Sequence, residues 1–263
     1  MTEHKSIIEI ENLETYYGSR KVLDGINLSI KPGETMTILG RSGCGKSTLL
    51  RHIIGLSKPS SGTIKIKSRN ITDLSEDEML PIRRKVGMLF QGAALFNSMT
   101  VGDNVALPLR EHTELEDSTI KIMTRMKLDQ VGLSGFEDFF PAQLSGGMKK
   151  RAALARAIAM DPDILFCDEP SAGLDPIVAV GIDHLILKLK KAFNMTIVIV
   201  THELESVNMI ADRVALLDSG KIIALGTVDE LMASDTPKVK QFFNRIPDPE
   251  KIDKESYLKS LIG

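Results

Sequence analysis

The sequence predicts an α/β fold in which a mixed, mostly parallel sheet is covered by helices and joined by an antiparallel β subdomain. Short apolar runs of strand length alternate with helical stretches, which is typical of a parallel sheet buried on both faces. Those runs are residues 35–39, 164–167, 196–200 and 214–217. A second set, residues 7–10, 22–30 and 63–66, is rich in β-branched residues and bounded by Pro/Gly turns, so we expect antiparallel strands there.

The strand pattern disappears between about residues 101 and 160, where apolar residues recur at helical spacing and end in the alanine-rich run 152–159. We therefore predict a helical subdomain, about residues 91–160, inserted into a core of residues 5–90 and 161–235. Together they form one domain of residues 5–245. The C-terminal tail, residues 237–263, carries sparse Phe242, Phe243, Tyr257 and Leu258 among charged residues. It is either a segment that docks on a neighbour or a surface extension.

Composition excludes several classes of protein. The chain has 263 residues, 43% hydrophobic and 26% charged, with a net charge of -2, which is typical of a globular domain. The basic clusters 83–85 and 149–151 are short and flanked by apolar residues, so we interpret them as solvated helix faces rather than a nucleic-acid site. Two cysteines, Cys44 and Cys167, are too few for a disulfide framework, and no leader or roughly 20-residue apolar run is evident. We expect a protein of the reducing cytoplasm that reaches membranes through a partner.

A phosphate-binding loop follows the predicted strand 35–39 and precedes the predicted helix 49–54. Residues 40–47 fit the pattern GxxxxGK[ST], in which glycines let backbone N–H groups surround the phosphates. Lys46 would bridge the β- and γ-phosphates, Ser47 would bind Mg²⁺, and Thr48 would lie near the α-phosphate. The predicted ATP-binding residues of this loop are Gly40, Arg41, Ser42, Gly43, Cys44, Gly45, Lys46, Ser47 and Thr48.

Acidic and polar side chains follow three other strands at the same predicted sheet edge. Asp168 and Glu169 end the run 164–167, and we expect Asp168 to hold Mg²⁺ and Glu169 to polarise the attacking water. Alone, such a pair is typical of a solvated acidic turn; the loop upstream favours catalysis. His202, after strand 196–200, would contact the γ-phosphate, although a histidine there is often structural. Gln91, after the strand-like run 86–90, would contact Mg²⁺ and water.

The segment Leu144-Ser145-Gly146-Gly147-Met148 resembles the signature of ABC transporter ATPases. Gln91, residues 171–175, His202 and Tyr17 also occur in that family's order, so the resemblance covers roughly residues 7–226. It implies an ATPase that works as a head-to-tail homodimer. Each ATP would lie between the loop of one copy and Ser145, Gly146 and Gly147 of the other. Tyr17 would stack on adenine and Asp175 would reach the opposite site.

Residues 92–101 and 104–113 are similar to ATPases of the Mla phospholipid transport system and of related MCE-type transporters. Met148, where the signature commonly has Gln, also fits that subgroup. The resemblance implies lipid transport across a bacterial envelope, at the cytoplasmic face of the inner membrane. The implied partners are an MlaE-like permease, an MCE-domain protein resembling MlaD and, as an optional subunit, a STAS-domain protein resembling MlaB. Leu95, Phe96 and Met99 would form an apolar notch for a permease helix, or simply pack the lobe.

Two alternatives stay open. The chain would also suit an importer of amino acids or other polar solutes, although such ATPases often carry a C-terminal regulatory domain and the tail after Pro237 is short. A soluble ATP-driven protein acting on DNA or ribosomes usually has two cassettes or a coiled-coil insertion, and neither pattern occurs here. A lipid bound to the purified complex would favour the first hypothesis.

Overall fold

The computed structural model describes residues 6–247. The strands are β1 Ile8–Tyr17, β2 Arg20–Ile30, β3 Thr35–Leu39, β4 Ser61–Ile66, β5 Arg69–Asn70, β6 Val86–Leu89, β7 Ile164–Asp168, β8 Thr196–Thr201, β9 Arg213–Asp218 and β10 Lys221–Gly226. The helices are α1 Lys46–Ile53, α2 Glu76–Arg83, α3 Val101–His112, α4 Asp117–Gln130, α5 Gly146–Ala157, α6 Pro176–Phe193, α7 Leu204–Ile210, α8 Val228–Met232 and α9 Pro237–Phe243. A short 3₁₀ turn, Pro141–Gln143, precedes α5.

Two sheets confirm the predicted fold class. The larger has the strand order β10-β9-β3-β8-β7-β6, parallel except for the antiparallel β9–β10 pair. All residues of β3 and β8 are buried, which is why their sequences are continuous apolar runs rather than alternating ones. The smaller sheet, β2-β1-β4-β5, is antiparallel throughout.

The antiparallel strands are longer than the sequence predicts. The first predicted strand ends at Ile10, whereas β1 continues to Tyr17. Its pairing with β2 shifts register between Ile10 and Leu13, and Asn12 has a positive φ of 49°. Such bulges break the two-residue alternation on which strand prediction depends. The sequence pattern also does not predict the edge strand β10, in which only Gly226 is buried.

The segment between β6 and β7 consists of the helices α3, α4 and α5 and their connections. Their buried apolar side chains form a continuous core with residues of α6 and strands β7 and β8. Side-chain caps fix where two of these helices begin: the Thr100 hydroxyl accepts from the Asp103 N–H, and the Ser145 hydroxyl accepts from the Met148 N–H. The lobe is therefore packed directly onto the strands that carry the acidic pair.

The start of the predicted tail is folded against the molecule's own core. α9 contains the fully buried Val239, and Phe242 and Phe243 pack against a cluster that includes Leu39 and Val207. Tyr257 lies outside the described residues, as does Leu258. Within residues 6–247, no helix is both long and apolar enough to cross a membrane.

Candidate nucleotide site

The phosphate-binding loop requires glycine where the chain makes its closest approach. A Cβ at Gly40 would lie 2.3 Å from the Leu217 carbonyl oxygen, which no real side chain tolerates. Gly45, the residue before α1, has a φ of 111°, a region that other residues rarely adopt. Cys44 is buried, and burial raises the pKa of its thiol; a buried thiol packs as a small apolar side chain. Arg41, Ser42 and Gly43 are exposed.

Lys46 begins α1 and points back into the loop. Its Nζ donates hydrogen bonds to the carbonyl oxygens of Gly40, at 2.8 Å, and Arg41, at 3.2 Å. It also lies 4.0 Å from Glu169 Oε1. The ammonium group is buried and held at the loop, where a phosphate oxygen is a stronger acceptor than a carbonyl. Ser47 is exposed and Thr48 half-buried beside it.

The strand register brings the other predicted residues to the same edge. β7 pairs with β8, so that Asp168 is opposite Val200, and β3 pairs with β8, so that Leu39 is opposite Thr201. The carboxyl ends of three parallel strands therefore meet where the loop starts. In an open α/β sheet this is where ligands bind.

Glu169 is fixed from several sides. Its N–H donates to the Val200 carbonyl at 2.8 Å, and Thr201 Oγ1 donates to Glu169 Oε2 at 3.0 Å. His202 Nδ1 lies 2.8 Å from Glu169 Oε1; an ionised carboxylate only accepts, so the proton belongs on Nδ1. The Glu169 side chain is 10% exposed and that of His202 50% exposed. The carboxylate is thus held while the imidazole faces the open side.

Asp168 carries an unsatisfied oxygen. Its Oδ1 is buried without a hydrogen-bond partner among the described residues, and burial together with the Glu169 charge raises the pKa of the Asp168 carboxyl. A buried oxygen of this kind is costly unless a donor or a cation reaches it. The oxygen donors Asp168 and Ser47 fit Mg²⁺, which binds through one or two protein groups and substrate phosphates.

Two further residues enter the site that the sequence did not single out. The Thr201 hydroxyl, described above, is 32 residues from Glu169 along the chain. Lys150 lies in a basic cluster that we interpreted as a solvated helix face, and for this residue the interpretation is wrong: Lys150 is only 5% exposed. Its Nζ donates to the carbonyl oxygens of Gln91, at 2.6 Å, and Glu169, at 3.0 Å. Burial lowers the pKa of Lys150 and the neighbouring acidic groups oppose that shift.

The glycine-rich segment spans the start of α5, where Ser145 and Gly146 are exposed. A Cβ at Gly147 would lie 2.5 Å from Val178 Cγ1, so glycine lets α5 pack closely on α6. Asp175 caps α6 by accepting from the Val178 N–H at 3.1 Å. No hydrogen bond or ion pair among the described residues joins Ser145 to Lys46. Met148 is half-buried against the helical core.

Within residues 6–247, neither the Gln91 nor the Tyr17 side chain makes a hydrogen bond to the residues of the site. Gln91 follows β6 and is exposed. Tyr17 ends β1 and is 53% exposed, so an aromatic face is available for stacking. The structure therefore brings together Lys46, Asp168, Glu169 and His202. No hydrogen bond or ion pair among residues 6–247 joins Tyr17, Ser145 or Asp175 to this group, so their roles stay predictions.

A glycine loop at the end of a buried parallel strand, a buried lysine in that loop and an acidic pair on a parallel strand of the same sheet define a P-loop nucleoside triphosphatase. The helical lobe between β6 and β7 carries the glycine-rich segment 144–148, which distinguishes ABC transporter ATPases from other members of this class.

The chain belongs to the ABC transporter family, whose sequence pattern matches residues 23–172. It is 42% identical over 261 residues to the intermembrane phospholipid transport system ATP-binding protein MlaF of Haemophilus influenzae, covering 98% of this chain and 99% of that protein. It is also 42% identical over 237 residues to the probable ribonucleotide transport ATP-binding protein mkl of Mycobacterium leprae, covering 90% of this chain and 68% of that protein. The chain is thus an ATP-binding, ATP-hydrolysing ABC subunit.

Solved structures of ATP-binding cassettes share the fold. The ATP-binding cassette MJ0796, in a dimeric post-hydrolysis state bound to ADP and Pi, is 33% identical with a TM-score of 0.77, covering 84% of this chain and 98% of that chain. The protein cbiO1 of Clostridium perfringens, part of the ABC transporter complex cbiONQ, is 31% identical with a TM-score of 0.80, covering 97% of this chain and 99% of that chain.

Proposed function

We propose that this chain is the motor of a bacterial lipid transporter and that two copies clamp ATP beneath a membrane permease. The observation that carries the motor is the buried arrangement of Lys46 and Glu169, 4.0 Å apart at the end of the phosphate loop. The likeness to MlaF along almost the whole chain supports the lipid cargo. The working site would be at the cytoplasmic face of the inner membrane.

Within each copy, the side chains divide the work of phosphoryl transfer. Lys46 exchanges its loop carbonyl acceptors for phosphate oxygens and neutralises their charge. Glu169, already oriented by Thr201 and His202, accepts a proton from the water that attacks the γ-phosphorus, as the bond to the ADP oxygen breaks. His202 hydrogen-bonds the γ-phosphate from the exposed side. Asp168, Ser47 and Gln91 would hold Mg²⁺, which supplies charge neutralisation on the phosphates.

The second copy completes the site. Ser145 begins α5 and is exposed with Gly146, so the N–H groups at this helix start can face a phosphate presented by a partner. Tyr17 stacks on the adenine, and Asp175 reaches across to the opposite site. ATP then joins two surfaces, and hydrolysis removes the γ-phosphate contacts that favoured the closed pair. The dimeric state described for MJ0796 supports this arrangement.

A largely apolar groove, which lies where the helical lobe meets α2 and β6 and also carries Arg83, Arg84, His112 and Arg156, suits the permease contact. It has a volume of about 430 Å³ and is lined by Phe90, Phe96, Leu107 and Met160 among others. Phe96 is 51% exposed. Of the three predicted notch residues only Phe96 lines the groove: Leu95 packs inward on the lobe core, and Met99 is half-buried elsewhere. We assign the groove to a helix of an MlaE-like permease.

The remaining partners follow from the MlaF likeness. We propose an MCE-domain protein resembling MlaD and a STAS-domain protein resembling MlaB as further subunits, and phospholipid as the cargo. The resemblance to mkl, whose name specifies ribonucleotides, favours a polar solute as the second candidate cargo.

Purification of the intact complex from its native membrane, followed by mass spectrometry of bound small molecules, tests the cargo. The proposal predicts enrichment of phospholipid relative to an unrelated permease complex extracted in the same detergent. A bound polar solute without lipid enrichment would refute the lipid assignment and favour the second candidate.

A further inference from the structure

Lys150 presents a buried charge that the proposed mechanism does not use. It lies on α5, five residues after Ser145, and is 5% exposed. Its Nζ donates to two backbone carbonyl oxygens, at 2.6 Å to Gln91 and at 3.0 Å to Glu169. An ammonium group removed from water is costly unless its hydrogen bonds are satisfied, so these two contacts determine where the Lys150 side chain lies.

The two carbonyl groups that accept from Lys150 belong to two proposed site residues, Gln91 and Glu169. The Glu169 backbone has a φ of 47°, the left-handed region that a residue with a side chain adopts only when its surroundings enforce it. Its N–H is fixed by the Val200 carbonyl at 2.8 Å, and its carbonyl is fixed by Lys150. The Gln91 carbonyl lies at the start of the segment that leads from β6 into the helical lobe.

We propose that Lys150 is a positioning residue, which sets the orientation of the Glu169 carboxylate by clamping the Glu169 peptide to Gln91 and to α5. This inference rests on the proposed role of Glu169 as the base. Because Ser145 begins the same helix, one ammonium group also links the surface that meets a second copy to the backbone of the base. Movement of the lobe against the core would therefore reorient the carboxylate.

A second buried lysine of the lobe, Lys127, has contacts that only stabilise the fold. Lys127 of α4 is also 5% exposed, but it pairs with the Asp161 carboxylate at 2.5 Å and lies 4.6 Å from the centre of the Phe193 ring. These contacts stabilise the lobe and reach no residue of the nucleotide site. Lys150 makes no ion pair within the described chain and contacts two proposed site residues instead. Lys127→Met is therefore a matched control for the loss of a buried ammonium group.

The test is steady-state ATP hydrolysis by the full-length chain, with the melting temperature measured on the same samples. A displacement of a catalytic group by about 1 Å costs about 10²-fold in rate. We expect Lys150→Met to lower kcat by about 10- to 100-fold with KM changed less than about threefold. Lys150→Arg, which keeps a cation with N–H donors, should restore at least about a third of kcat. Lys127→Met should keep kcat within about twofold at an equal or larger loss of melting temperature.

The inference is overturned if Lys150→Met loses no more kcat than Lys127→Met, if KM rises in proportion, or if folded Lys150→Arg fails to recover. Should Lys150→Met not fold, Lys150→Ala, which also removes the N–H donors, is judged by the same kcat criterion. Glu169→Gln, assayed in parallel, separates the two claims. Full turnover in that variant would remove the base assignment itself, whereas lost turnover in it with normal turnover in Lys150→Met would remove only the positioning role.

Discussion

Replacement of Glu169 by Gln substitutes an NH₂ group for one carboxylate oxygen. The negative charge is lost, and the side chain keeps nearly the same shape. In the parent chain, Glu169 Oε2 accepts a hydrogen bond from the Thr201 hydroxyl at 3.0 Å, and Oε1 accepts one from His202 Nδ1 at 2.8 Å. In the variant, the amide oxygen is expected at the Oε1 position, beside Lys46 and His202. The NH₂ group then faces Thr201 Oγ1, which has a lone pair to accept it.

The expected loss is large in rate and small in stability. Removal of a general base costs about 10²- to 10⁴-fold in turnover, or about 3 to 5 kcal/mol at 1.36 kcal/mol per tenfold. Lys46 loses a carboxylate at 4.0 Å but keeps two carbonyl acceptors. We therefore expect a melting temperature within about 4 °C of the parent, since about 1 kcal/mol shifts it by roughly that much in a chain of this size.

The assay is phosphate release at saturating ATP, with ATP affinity measured by equilibrium binding. The parent chain and Lys46→Ala are the controls, because the latter should lose ATP binding as well as turnover. A Glu169→Gln variant that binds ATP and keeps kcat within about tenfold of the parent would refute the assignment of Glu169 as the base.

Three further changes test other parts of the account. Tyr17→Ala should weaken ATP binding by about 5- to 150-fold, the effect of about 1 to 3 kcal/mol of stacking. Replacement of its neighbour Tyr16, which is also exposed, by Ala should not; equal effects in calorimetric titrations would contradict the stacking role. Gly147→Ala places a Cβ 2.5 Å from Val178 Cγ1 and should lower the melting temperature by about 2 to 12 °C. An unchanged melting temperature would show that α6 moves away from α5 without loss of stability. Burial raises the pKa of Asp183, so the parent chain should lose stability as pH rises through that raised value, and Asp183→Asn should remove this loss. If the melting temperatures of both chains change with pH in the same way from about pH 4 to pH 8, Asp183 is not the cause of the pH dependence.

The sequence predicted those parts of the site that are encoded locally. The phosphate loop and the acidic pair are short contiguous patterns that directly follow strands buried on both sides. They can therefore be recognised from the order of residues along the chain alone. The Glu169 clamp depends instead on pairing. Thr201 reaches Glu169 only because β7 and β8 are neighbours, and the apolar run around it does not mark the hydroxyl as a donor.

Lys150 shows why a charge cluster is a poor guide to exposure. Lys149 and Arg151 are half-buried beside it, and the Arg151 guanidinium donates to the Val131 carbonyl at 2.8 Å. Charged groups next to one another in sequence thus find separate backbone acceptors, and the periodicity of α5 does not distinguish them. In β1 the obstacle is different: bulges interrupt the alternation, so the strand is predicted too short.

In the proposed dimer, Lys46 of one copy and Ser145 of a second bind the same ATP, and light scattering measures whether that dimer forms. In the Glu169→Gln background with ATP and Mg²⁺, we expect a species of about twice the 28.9 kDa chain mass, which reverts to the single chain in ADP and is abolished by Ser145→Arg. A chain that stays monomeric with ATP, or a dimer that Ser145→Arg leaves intact, would contradict it.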